Sequence, residues 1–181
     1  MVEGGASQEL PVYRFNVTAD AAGDATLEKF TTVITPVGVT HAPAAGELVV
    51  YRCNNGDCSN ANLAASTHTI AGTEQEFVFT SSQNIPKGTS VQFEIRTNAA
   101  IADADTNNTT GEQFTVSFPK DTVYVTPEFD GTAAARANAL TALTAQNVIW
   151  SDRSNSGNAG AFIGGYELDV PDSSALVGAR R

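Results

Sequence analysis

The stretch Gln75 to Thr97, QEFVFTSSQNIPKGTSVQFEIRT, constrains the fold of this chain more than any other. Phe77 and Phe79 alternate with Val78 and Thr80, and Val91, Phe93 and Ile95 alternate with Gln92, Glu94 and Arg96. A period of two with aromatic and β-branched residues on one face specifies strands whose other face meets water. Pro86 presets φ for a turn between them, and Gly88 supplies the positive φ that bulkier residues avoid. The expectation is a central hairpin in an all-β protein.

The same pattern recurs along the chain. Strands are expected over Pro11 to Ala19, Ala25 to Thr35, Glu47 to Cys53, Gln113 to Pro119, Asp121 to Pro127, Gln146 to Ser151 and Ala161 to Val170. Pro36 and Gly38 should end the second of these. Val39 to Gly46 and residues 59–72 read as loop, and Thr132 to Ala145 as a short helix or an ordered linker. Eight or nine short strands with turn chemistry between them imply a single antiparallel β-sandwich, immunoglobulin-like or jelly-roll-like. Residues 1–10 read as a flexible leader, 11–172 as the domain and 173–181 as a tail.

Function classes are narrowed by charge. Ten Lys+Arg against 20 Asp+Glu give a net charge of −10, which repels phosphate backbones and anionic headgroups. No nucleic acid partner is expected, and the longest apolar runs are too short to insert in a bilayer. Met1-Val-Glu-Gly-Gly-Ala-Ser has no secretory-leader pattern, so the chain reads as cytosolic or as a mature module behind an added start codon. Only 17% of its residues are charged and it has few lysines, which favours an extracellular module.

Cys53 and Cys58 enclose Asn54-Asn55-Gly56-Asp57, a sequence that favours a turn. In a secreted-looking chain the pair is expected to form a local disulfide; free thiols and a metal site are the alternatives. A bridge closing so short a loop is worth roughly 2 kcal/mol.

Three phrases carry a resemblance: Tyr13-Arg-Phe-Asn-Val-Thr-Ala-Asp-Ala-Ala-Gly-Asp-Ala-Thr-Leu-Glu-Lys-Phe30; Asn84-Ile-Pro-Lys-Gly-Thr-Ser-Val-Gln-Phe-Glu-Ile-Arg96; and Asn147-Val-Ile-Trp-Ser-Asp-Arg-Ser154 followed by Gly165-Tyr166-Glu-Leu and Pro171. In this order they resemble β-sandwich modules of large cell-surface proteins of uncultivated candidate-phyla bacteria. The chain departs from that pattern at Gly164, where those modules usually have Asn, and in its cysteine pair. The resemblance implies an extracellular, multi-module, non-enzymatic protein, with no catalytic residue to carry over.

Several constellations resemble chemical sites. Asp103, Asp105, Asn107 and Glu112 alternate oxygen donors as a Ca²⁺ loop does, but Asn108 stands where such a loop prefers Gly and Phe114 where it needs a bidentate Glu. A solvated loop is the plainer reading. Asn55, Asp57 and Asn60 offer a second oxygen cluster, and zinc would need Cys53, Cys58, His41 and His68 at spacings unlike compact zinc motifs. No Ser stands in a G-x-S-x-G elbow, and His68 reads as a strand-edge or surface residue. Trp150 suits a core strand better than a sugar platform. The sequons at Asn16, Asn107 and Asn108 carry little weight. Sandwich domains also accommodate Lys–Asn isopeptide bonds, and Lys29 lies on an early strand with Asn147 or Asp152 on a late one.

These readings converge on a non-catalytic extracellular structural or interaction module of a bacterial surface protein. Its expected partners are other protein modules or surface glycans. The alternatives are a glycan- or calcium-binding adhesion module and a polymer subunit whose segment Gln8 to Ala19 adds to a neighbour's sheet edge. No cofactor is expected beyond Ca²⁺.

Overall fold

A computed structural model describes residues 9–59, 62–103, 113–119, 137, 140, 145–151 and 162–164, with backbone alone at 102–103 and 162–164. The chain is an all-β sandwich of two packed antiparallel sheets. Its strands are β1 Leu10–Thr18, β2 Ala25–Val37, β3 Val39–Thr40, β4 Leu48–Cys53, β5 Leu63–Ala64 and β6 Ser66–Ala71. There follow β7 Glu74–Ile85, β8 Ser90–Thr97, β9 Ala102–Asp103, β10 Gln113–Ser117, β11 Val148–Ser151 and β12 Phe162–Gly164. The first sheet has the order β1-β8-β4-β5 and the second β12-β11-β2-β7-β6, with β10 also on β2; β3 and β9 form a small ribbon.

The pattern at Gln75 to Thr97 produces strands but not the expected hairpin. β7 belongs to the second sheet and β8 to the first, so the turn between them is an arch across the sandwich. The core explains this arrangement. Phe77 and Phe79 on β7 face Phe93 and Ile95 on β8, all 1% exposed or less, and pairing the strands edge to edge would leave both apolar faces needing another cover. The β1–β2 connection arches in the same way, and the two turns dock. Gly88 N donates to Asp20 O at 3.0 Å and Lys87 N to Asp24 Oδ1 at 2.8 Å. Gly88 takes φ 66°, the left-handed conformation its sequence position demands.

Tyr13, Phe15 and Val17 of β1 pack on the core as their alternation requires. Phe15 lies 5.5 Å from Phe93 and 5.1 Å from Phe30, which stacks on Phe77 at 4.8 Å, so one aromatic cluster joins the sheets. Each fully buried Phe contributes about 1.5–3 kcal/mol. β1 pairs with β8 from Leu10 to Thr18, so the segment proposed for strand donation completes this chain's own sheet.

Other boundaries also move. Strand β1 includes Leu10, and Glu9 is tied to Tyr51, so these two residues of the expected leader belong to the folded sheet's network. β2 continues through Pro36 because its pairing with β7 stops at Val33; beyond that point only β10 flanks it among the described residues, and proline is tolerated beside an open edge. Residues 59–72, expected as loop, contain β5 and β6. β6 eluded the periodicity because its inward residue is His68 and its other positions are Ser, Thr, Ile70 and Ala71, mostly exposed. Ala137 and Leu140 are helical. The expected strand Asp121 to Pro127, the rest of the leader and the tail lie outside the described residues.

Candidate functional site

The most elaborated feature is the outer face of the first sheet, beneath the cysteine loop. β4 runs out at Cys53 into a tight hairpin in which Asn54 and Asp57 exchange two backbone hydrogen bonds of 2.9 Å. Asn55 and Gly56 have φ 50° and 83°, the positive pair of a two-residue primed turn, for which Asn-Gly is the favoured dipeptide. The turn returns Cys58 beside Cys53, and the two form a disulfide. Both sulfur residues are buried and pack on Tyr51. Asp57 Oδ1 accepts from Ser59 N at 2.9 Å, and Asn62 Nδ2 donates to Asp57 O at 2.9 Å, which fixes the loop from its far side.

Under this loop lies a charged row set by register. Arg14 of β1 and Tyr51 of β4 both stand opposite Glu94 of β8. The alternation in β8 sends Gln92, Glu94 and Arg96 outward, yet Glu94 is 0% exposed. The expectation that this face meets water therefore fails at Glu94, whose carboxylate is covered by Arg14 and Arg96. Arg14 Nε donates to Glu94 Oε2, and Arg96 Nε donates to Oε1 at 2.5 Å. The Arg96 guanidinium lies over the Tyr51 ring, 4.1 Å from its centroid. It donates from Nη2 to the Cys58 carbonyl, and Nη1 sits 3.7 Å from Glu9 Oε2. The Tyr51 hydroxyl donates to that same Glu9 oxygen.

Two carboxylates and two guanidinium groups thus balance in a closed network. A buried charge is tolerable only when paired and hydrogen-bonded, and Glu94 is paired on both oxygens. Burial, and then the Glu9 carboxylate, push the Tyr51 phenol up to about 12. The phenol is thereby held as a hydrogen-bond donor, and the network acts as a lock between β1, β8, β4 and the cysteine loop.

Both histidines also act as structural joints. His68 is buried, not at the surface: its Nδ1 accepts from Gly46 N at 3.0 Å, its Nε2 meets Gln75 Oε1 at 2.9 Å, and its ring stacks on Phe77 at 5.1 Å. These contacts fix a neutral tautomer with the proton on Nε2 and tie the β3–β4 loop to the second sheet. His41 Nε2 lies 2.9 Å from Thr97 Oγ1, with Phe114 edge-on at 5.1 Å. Burial lowers the pKa of each below its ordinary value.

The cysteines are consumed by the disulfide, which removes the zinc set, and Asp57 serves the loop's own turn. Asp103 enters β9 and pairs through its backbone with Val39; Asp105, Asn107 and Glu112 lie outside the described residues, as do Asn60 and Tyr166. Among the described residues no three His, Cys, Asp or Glu side chains gather as a metal set, and no helix is long and apolar enough to cross a membrane. Trp150 is half-buried on β11.

Beside the loop, a polar cleft of about 330 Å³ opens between the sheets, lined by Arg52, Asn54, Asn62, Leu63, Ser81 and Gln83 among others. The Arg52 Nη2 donates to Asn84 O at 2.5 Å, so its head group is anchored at the cleft wall.

Sequence reasoning located the cysteine loop but missed Glu94, Arg96, Arg14, Tyr51 and Glu9 as a unit. They come from strands far apart in the chain, and only the order β1-β8-β4 brings them together. Set against protein families, curated proteins and solved structures, the chain matches none of them.

Proposed function

We propose that the chain is a non-catalytic module of a bacterial surface protein, working outside the cell as a structural or interaction element. The observation that supports this most directly is the Cys53–Cys58 disulfide, whose loop supplies the Cys58 carbonyl that completes the buried ion network. Disulfides that close structural networks persist in oxidising compartments. The use of both histidines and of Glu94 as joints points the same way, toward rigidity rather than chemistry.

The test is a redox titration of the folded protein in glutathione buffers, with thiols trapped by alkylation and counted by mass. The pair should stay oxidised at the cytosolic poise of about −220 to −260 mV, as structural disulfides of secreted proteins do. Complete reduction of folded protein at that poise would overturn the extracellular reading.

A second reading, glycan binding, is favoured by the amide- and guanidinium-lined cleft. Soluble oligosaccharides should then perturb the amide resonances of Arg52 and Gln83 selectively, and an unchanged spectrum with a broad glycan panel would remove it.

A further inference from the structure

Lys29 carries a buried charge in the second sheet. It lies in the middle of β2, the central strand of the second sheet, and its side chain is 3% exposed. Burying an ammonium costs several kcal/mol unless its partners compensate. On one side of Lys29 is β7, on the other β11; both ladders shift register on its Leu27 side and run in register from Lys29 to Phe30. Lys29 stands opposite Val78 and Ile149; Phe30 stands opposite Phe77 and Val148; Thr31 stands opposite Glu76. Lys29, Ile149, Val78 and Glu76 therefore share the outer face of this sheet, where Lys29 and Ile149 are buried.

Two diagonals leave Lys29 toward Thr31. Diagonal neighbours in antiparallel sheets sit about 7–8 Å apart at Cα, within reach of long side chains. Along the first, Lys29 Nζ meets Glu76 Oε2 at 2.5 Å. Along the second, the position two residues before Ile149 is Asn147, one step ahead of the first β11–β2 pair and half-buried. An amine and a carboxylate in contact with it thus lie on two adjacent strands of one face, and a side-chain amide lies in the bend that leads into the third.

We propose that Lys29 and Asn147 join in an intramolecular isopeptide bond, with Glu76 as the proton carrier. The proton of the Lys29 ammonium passes to Glu76 across their contact, and the neutral Nζ attacks Cγ of Asn147. Glu76 returns a proton to the departing amide nitrogen while Nζ loses one of its own. The Nζ–Cγ bond forms, the Cγ–Nδ2 bond breaks and the nitrogen leaves as ammonium. No oxidant or co-reactant takes part, and the buried charge of Lys29 is eliminated. A covalent strap would then join β2 to β11, whose ladder has four pairs among the described residues. This inference does not depend on the extracellular reading, because it rests on the second sheet alone.

The experiment is intact mass spectrometry of the reduced, alkylated and denatured full chain, with proteolytic mapping. The expected mass is one ammonia below that of the sequence, with the Lys29 peptide found only in covalent linkage to the Asn147 peptide. A full sequence mass overturns the proposal. So does a light mass with a linear Lys29 peptide, the signature of a succinimide such as Asn55-Gly56 would form. Glu76→Gln, checked for cooperative unfolding, should restore the full mass; a linked Glu76→Gln protein overturns the role of Glu76. Lys29→Met, which keeps an unbranched apolar stem in the same space, should likewise be unlinked.

Discussion

Replacing Glu94 by Gln keeps the side chain's shape and removes the charge that holds the outer network together. The cost follows from what each partner does afterwards. The Arg14 side chain is 53% exposed, so it returns to water, and its pairing is worth under about 1 kcal/mol. The Arg96 side chain is only 16% exposed and loses a charge-assisted bond of about 1.5–3 kcal/mol. It keeps the Cys58 carbonyl, the Tyr51 ring and the more distant Glu9, so the loss stays near the lower end of the ~3–5 kcal/mol for breaking a buried pair. We expect about 3 kcal/mol, or about 6–12 °C in Tm for a chain of this size. Urea unfolding at neutral pH without reductant would measure it. Arg14→Ala should cost under about 1 kcal/mol, and a double-mutant cycle should place most of the coupling in Glu94–Arg96. A loss below about 1 kcal/mol for Glu94→Gln, the range of an exposed pair, would refute the view that this network is buried.

Three further outcomes follow from the same geometry. Cys53→Ser with Cys58→Ser should lower stability by about 2 kcal/mol from loop entropy, and more if the Arg96–Cys58 bond is lost with the loop; urea midpoints of the oxidised and double-Ser proteins compare them. His68 binds its proton less readily folded than unfolded, so stability should be complete above pH 6.5 and fall as pH drops below it, with His41 adding the same sign; urea midpoints against pH should lose much of this slope in His68→Gln. Tyr51 has the opposite behaviour: its raised phenol holds stability below pH 10 that is lost as pH climbs toward about 12. Tyr51→Phe should cost about 1 kcal/mol at neutral pH and flatten the alkaline limb, read alongside tyrosinate absorbance.

The strands with apolar inward residues were legible in the sequence. Phe15, Phe30, Phe77, Phe79, Phe93 and Ile95 all enter the core where alternation places them. Alternation says nothing about which sheet a strand joins, so a hairpin and an arch read identically at Pro86-Lys87-Gly88. It also equates polar with solvated, which fails at Glu94 because two arginines, one from another strand, pair with its carboxylate. For β6, the buried side chain is an imidazole whose hydrogen bonds come from Gly46 and Gln75, partners that the local sequence does not reveal.

The interleaving of strands also has a kinetic side. The first sheet places β1 against β8, so Leu10 meets Thr97 and waits for most of the described chain to be synthesised before finding its partner. Neither arch supplies a local two-strand nucleus, and topologies dominated by such distant pairings fold slowly because loop closure precedes the contacts that compensate it. During that interval the apolar face of β1, with Tyr13, Phe15 and Val17, has no neighbour within its own stretch of chain. The tight Asn54–Asp57 hairpin is a local element available from the outset. Refolding should therefore divide into early closure around the cysteines and a later, rate-limiting capture of β1, the step most exposed to intermolecular pairing at high protein concentration.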